Sequence, residues 1–180
     1  MGRVEVRVVV LYEDREQKCF LLRLAEHLHL EPVRWRHCRN NVGVLQSLGE
    51  EVDALRGRNY QRNLGLVVAI DADDKGLHGR VAELLARIAL DASGGPRGDA
   101  ERIALVVPAW EIETWYVHLC CPEARPVDET RDYKASAEWT QLKKDIGSAA
   151  KKAVEAWPPD PDRIDPPSLS AARQELERVQ

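Results

Sequence analysis

The stretch LGLVVAIDADD, residues 64–74, decides the fold. Its first seven residues, 64–70, form an unbroken apolar run of strand length, rich in β-branched side chains, and the run stops at Asp71, Asp73 and Asp74. A strand that is apolar at every position is buried on both faces, which is the signature of a parallel sheet covered by helices. Working outward, residues 76–90 place Leu77, Val81, Leu84, Leu85 and Ile88 on one helical stripe. Residues 93–98 read as a loop, 103–107 as another apolar strand closed by Pro108, and 110–119 as a helix. On the amino side, residues 4–11 (VEVRVVVL) form a strand that ends at Glu13 and Asp14. A helix follows over 15–28, carried by Phe20, Leu21, Leu24 and Leu28. Pro32 closes that region, and 33–38 is a second strand. Asn40, Asn41 and Gly43 mark a turn, 44–55 a helix and 56–63 (RGRNYQRN) a basic loop.

The order is thus β-α-β-α-β-α-β-α. The expectation is an α/β, Rossmann-like domain over residues 1–121, with a mostly parallel four-stranded sheet and helices on both faces. Residues 122–180 are expected to form a helical extension packed on the same domain. It would have helices over 137–157 and 168–179, the latter capped by Ser168, and a strap rich in proline and aspartate between them.

The chain of 180 residues suits one domain of ordinary size, and 44% hydrophobic with 31% charged residues is a soluble globular mix. A net charge of −4 provides no global attraction for nucleic acid, so phosphate contacts require a local basic patch or a bridging metal. No apolar run is long enough for a membrane span, and the alternating first residues do not read as a signal peptide. The four cysteines, Cys19, Cys38, Cys120 and Cys121, contain no CxxC pair, so neither a zinc site nor a disulfide framework is expected. A cytoplasmic location is the expectation.

Right-handed crossovers carry every strand's carboxyl end to one edge of such a sheet, where ligands of open α/β folds bind. Glu13 and Asp14, Asp71 and Asp73, and Glu111 and Glu113 would all meet there. Gathered carboxylates repel one another unless a cation neutralises them, and hard oxygen ligands suit Mg2+ or Mn2+. In an extended segment Asp71 and Asp73 point the same way, so both can face one ion. Glu111 and Glu113 do not share a helix face, so one of them is expected to reach the site, with Glu113 slightly favoured. Asp14 reads as a helix cap. Trp110, Trp115 and Tyr116 read as core, and the five histidines lack metal-ligand spacing.

These residues resemble the Toprim domains of topoisomerases, DnaG-type primases and OLD-type nucleases, which pair a Glu after the first strand with a DxD after a later one. Glu13 and IDADD at 70–74 carry that resemblance, and VPAWEIETWYV at 107–117 and PSL at 167–169 look like small stand-alone Toprim-like proteins of bacterial antiviral defence. Asp14 stands where many Toprim domains have glycine. The resemblance implies a magnesium- or manganese-dependent nuclease acting on DNA or RNA. Asp71 and Asp73 would hold the main ion, Glu13 would bind a second ion or act as general base, and Glu111 or Glu113 would complete the second site. Lys75 and Lys134 are candidates for offsetting phosphoryl charge. Arg56, Arg58 and Arg62 are candidates for a basic rim, with Tyr60 stacking on a base. The alternative is a non-catalytic Toprim-like subunit docked on an ATPase of the ABC or AAA type. Nucleotidyl transfer is the least favoured reading, and pairing into a homodimer stays open.

Overall fold

The computed structural model describes residues 6–58, 61 and 63–180. The decisive apolar run is β3 (Leu64–Ala69), buried along its whole length. Before it come β1 (Val6–Tyr12), α1 (Arg15–Leu28), β2 (Leu30–His37) and α2 (Asn41–Arg56). After it come α3 (Gly76–Asp91), β4 (Ile103–Val106) and α4 (Ile112–Cys120). The sheet is four-stranded, in the order β2-β1-β3-β4, and every neighbouring pair is parallel. The chain is therefore an α/β protein with a Rossmann-like arrangement. The expected start of the first strand at Val4 lies outside the described residues.

Alternation along the strands feeds two cores. Val8, Val10, Val67, Ala69, Ala104 and Val106 face one side, with Phe20, Leu24, Trp115 and Tyr116. Val9, Leu11, Leu66, Val68, Ile103 and Leu105 face the other, with Leu48, Val52, Leu84 and Ile88. Both faces are dry, so the strand sequences lack an apolar–polar alternation.

The carboxyl-terminal part forms α5 (Ala137–Leu142), α6 (Ile146–Glu155) and α7 (Pro167–Glu177). A short 3-10 turn at Lys143–Asp145 splits what the sequence suggests as one helix. Ala149, Ala150, Trp157, Leu169, Ala172 and Leu176 join the same core as α1 and α4. Ser168 does not cap α7: the helix starts one residue earlier, after Pro166. The Ser168 hydroxyl instead accepts the buried Trp115 indole N–H at 2.8 Å and donates to Glu129.

The two sheet edges differ. At β4 the Leu105 N–H donates to the Glu175 carboxylate at 3.0 Å, and Arg97 donates to the Ile103 carbonyl at 3.1 Å, so side chains occupy that edge. At the other edge lies β2. Pro32 sits inside this strand rather than ending the segment before it, because an edge strand tolerates the missing N–H. The register slips next to it, where Val8 pairs with Pro32 but Val9 pairs with Arg34, leaving Val33 as a bulge.

Candidate active site

The carboxyl ends of β1 and β3 lie side by side, and the chain beyond each is tied to the other. The Glu13 carboxylate accepts the Asp71 N–H at 2.7 Å. The Glu13 N–H donates to Gln17 Oε1 at 2.9 Å, and Gln17 Nε2 donates to Asp71 Oδ1 at 2.9 Å. Asp14 caps α1, accepting the Gln17 N–H at 2.9 Å, as the sequence suggests. Beyond β3, the N–H groups of Ala72 and Asp73 donate to the Pro108 and Trp110 carbonyls, both at 3.0 Å. That pairing places the start of α4, with Glu111 and Glu113, beside Asp71.

The result is a crowd of largely buried acids. Asp71 is buried, and its pKa is pushed well above the usual carboxylate range, first by desolvation and then by the charges of Glu13, Asp14 and Glu113. Glu13 is raised to about 7, chiefly by desolvation; the bond from the Asp71 N–H and the charge of Arg80 oppose this, while Asp73 and Asp14 add to it. Glu113 is buried and also raised to about 7, again chiefly by desolvation. Glu111 is raised by desolvation, although it accepts a 2.5 Å bond from Lys134. Lys134 itself is raised: burial works against its charge, but the bond to Glu111 and the charges of Glu113 and Glu111 outweigh it.

Asp73 departs from the sequence reading. β3 ends at Ala69, Ala72 is helical and Asp73 has φ 50°, the first residue of a 3-10 turn at Asp73–Lys75. The segment is not extended, so the two carboxylates do not point the same way. Asp73 Oδ2 accepts from Arg80 Nη2 and from Asn41 Nδ2, each at 3.0 Å, whereas Asp71 faces Gln17 and the α4 acids. Asp tolerates the left-handed region better than most residues, and backbone held there often marks a functional turn.

Of the cations the sequence suggests, Lys134 reaches the acids and Lys75 does not, being bonded to Glu83 at 2.5 Å. Of the suggested basic rim, Arg56 and Arg58 lie away from the acids. α2 runs from the acidic edge to the opposite one, where the Arg7 N–H donates to the Asn63 carbonyl just before β3. Arg56 is a structural clamp there. It binds Glu101 at 2.6 and 3.1 Å and the carbonyls of Ser93, Gly95 and Pro96. Arg58 lines a cavity of about 420 Å³ at the same edge. Tyr60 and Arg62 lie outside the described residues. Trp115 and Tyr116 are core, as expected.

No protein-family model, curated protein or solved structure matches the chain.

A divalent cation suits the donor set in charge and hardness. The Oε2 atoms of Glu111 and Glu113 are buried without a hydrogen-bond partner, which is costly for a carboxylate unless a cation or a proton joins it. Among the described residues, however, no group of three or more His, Cys, Asp and Glu side chains is already arranged around a common point. Asp71, Asp73 and Glu111 are each turned toward a protein partner, so shared coordination requires side-chain rotation.

Three residues that hold these acids escaped the sequence reading: Gln17, Arg80 and Asn41. Arg80 is buried and donates to the Asp71 carbonyl at 2.9 Å, to Glu83 at 2.7 Å and to Asp73. A signal did exist for two of them. Gln17 is in phase with Phe20, Leu21 and Leu24, and Arg80 with Leu77, Leu84 and Ile88, so each is a polar residue on an apolar stripe. Such a residue must find buried partners.

Proposed function

We propose that the chain is a divalent-metal-dependent nuclease of Toprim type, hydrolysing phosphodiesters of DNA or RNA at the Glu13–Asp71–Glu113 centre. The observation that carries this reading is the gathering of Glu13, Asp71 and Glu113 at the carboxyl edge of a parallel sheet, with Asp71 and Glu113 buried. Clusters of this kind favour a bound cation and concentrate at functional sites. The Toprim assignment and the place in bacterial antiviral defence both rest on the resemblance of Glu13 and the DxD at 71–73 to the Toprim pattern.

Asp71, Glu113 and Glu13 would hold Mg2+ or Mn2+, with Asp73 and Glu111 joining after rotation. A bound ion of this class polarises a phosphoryl oxygen and acidifies water. The chain's own residues contribute the rest. If Glu13 stays off the ion, its raised pKa of about 7 suits it to accept a proton near neutral pH. Lys134, exposed for about half its side chain yet tied to Glu111, offers a positive charge for a non-bridging phosphate oxygen. Gln17 and Arg80 orient Asp71 through its carboxylate and its carbonyl.

A second reading has an observation of its own. With Asp71 bonded to Gln17, Asp73 to Arg80 and Lys75 to Glu83, the centre is also consistent with a protonated structural cluster. The chain would then be a Toprim-like regulatory subunit docked on an ABC- or AAA-type ATPase. Calorimetric titration of Mn2+ into the wild type and into a folded Asp71→Asn variant separates the two. Binding by the wild type alone, followed by metal-dependent cleavage of plasmid DNA or structured RNA, supports the nuclease. Absence of Mn2+ binding by the folded wild type refutes it and favours the subunit.

A further inference from the structure

Next to the acids, at the same edge, lies an aromatic group with no role in them. Tyr12 is the last residue of β1 and directly precedes Glu13. Its ring stacks on His37, with centroids 5.2 Å apart and planes 14° apart, and meets Trp35 edge-on at 5.9 Å. Trp35 and His37 belong to β2, the outermost strand; Trp35 is half-buried and His37 exposed. Lys18, on the exposed side of α1, holds its ammonium 5.8 Å from the Tyr12 ring centroid. Arg39, just past β2, is also exposed and sits on a left-handed backbone at φ 68°.

The charges here differ from those elsewhere on β2. Arg34 and Arg36 point to the opposite face and are neutralised by the buried Glu51 on α2. Among the described residues, Arg15, Lys18 and Arg39 have no carboxylate partner. On a chain of net charge −4, the exposed Lys18 and Arg39, beside the exposed His37 and the half-buried Trp35, set this corner apart from the acidic centre next to it. Flat π-faces flanked by cations are how single-stranded nucleic acid is held: bases stack on the rings and the backbone tracks the charges. A duplex hides its base faces and cannot use the rings.

We propose that the Trp35–Tyr12–His37 group at the β2 edge binds single-stranded nucleic acid, with bases on Trp35 and His37 and phosphates at Lys18 and Arg39. The strand would then run toward Glu13, one residue beyond Tyr12. The proposal deepens the nuclease reading by specifying an unpaired substrate, and it rests on that reading for its purpose but not for its test.

The test is fluorescence anisotropy with labelled oligothymidylate and oligouridylate of about twelve nucleotides, against a duplex of equal length, in EDTA and low salt. Single strands are expected to bind at least about tenfold more tightly than the duplex, and Trp35→Ala to weaken them by about tenfold. His37→Ala, at an exposed position, is expected to weaken binding in the same direction and serves if Trp35→Ala unfolds. Lys18→Gln with Arg39→Gln should flatten the salt dependence by about 1.4 units of slope. Equal affinity for duplex, or single-strand binding indifferent to both ring variants, overturns the proposal. So does a stable dimer dispersed by Trp35→Ala, which would assign the edge to a second copy. Failure of oligonucleotide binding alongside intact Mn2+ binding refutes this inference and leaves the metal centre standing.

Discussion

Replacing Glu13 by Gln tests the acidic centre directly. The amide keeps an oxygen for the Asp71 N–H, now 2.7 Å from the carboxylate, and removes one negative charge from beside Asp71, Asp73 and Asp14. The folded pKa of Glu13 is about 7 against an ordinary 4.5. Because the folded pKa is the higher, the folded state holds more protons between those values. This group's contribution is therefore fully present below about pH 4.5 and is lost as pH rises to about 7. At roughly 1.4 kcal/mol per pH unit the loss is at most about 3.5 kcal/mol. Partial exposure of Glu13 screens this, so about 1–2 kcal/mol is the working figure. Glu13→Gln is thus expected to be more stable than the wild type by about 1–2 kcal/mol at pH 8, roughly 3–8 °C in Tm. At pH 5 most of that advantage should vanish. The assay is urea unfolding with EDTA at both pH values, repeated with Mn2+. The metal should reverse the order at pH 8 by stabilising only the wild type. A variant no more stable than the wild type at pH 8 in EDTA would show that Glu13 is not held against its charge, and the argument for a cation would fail with it.

Other outcomes follow from the same contacts. Since Glu13 and Glu113 must lose protons to bind a cation, and both have pKa values of about 7, Mn2+ affinity measured by calorimetry should fall steeply below neutral pH, by about tenfold per pH unit per proton displaced. Arg56→Ala should lower stability to urea by about 2–3 kcal/mol, because it strips charged bonds from Glu101 and the 93–96 carbonyls. It should leave oligonucleotide affinity unchanged, since Arg56 lies at the far edge of the sheet; a drop in affinity without a drop in stability would restore the basic rim there. Gly49→Ala should cost about 1–3 kcal/mol, because its Cβ would stand 2.9 Å from Asp91 Cβ and 3.2 Å from the Asp91 backbone, where α2 meets α3. Full stability of that variant would mean the two helices separate more easily than their packing implies.

The architecture and the acidic edge were legible without coordinates. Residues 64–70 are apolar at every position because both faces of β3 are dry. That local pattern, repeated in β1 and β4 and spaced by helical stripes, dictates a parallel sheet, and the handedness of its crossovers brings Glu13, Asp71 and Glu113 to one edge. Only the tertiary structure decided how those acids are aimed. Asp73 turns away from Asp71 because the chain leaves the extended conformation at Ala72, where the Asp73 N–H is captured by Trp110, far along the sequence. Lys134 reaches Glu111, whereas Lys75, adjacent to the DxD, folds onto Glu83. Arg56 and Arg58 end up opposite the acids because α2 is long enough to cross the whole sheet. The aromatic edge of Tyr12, Trp35 and His37 joins two strands whose pairing no single segment announces. Periodicity reports how much of each residue is buried; it carries no information about which distant donor a buried carboxylate meets, and that meeting sets its direction and its pKa.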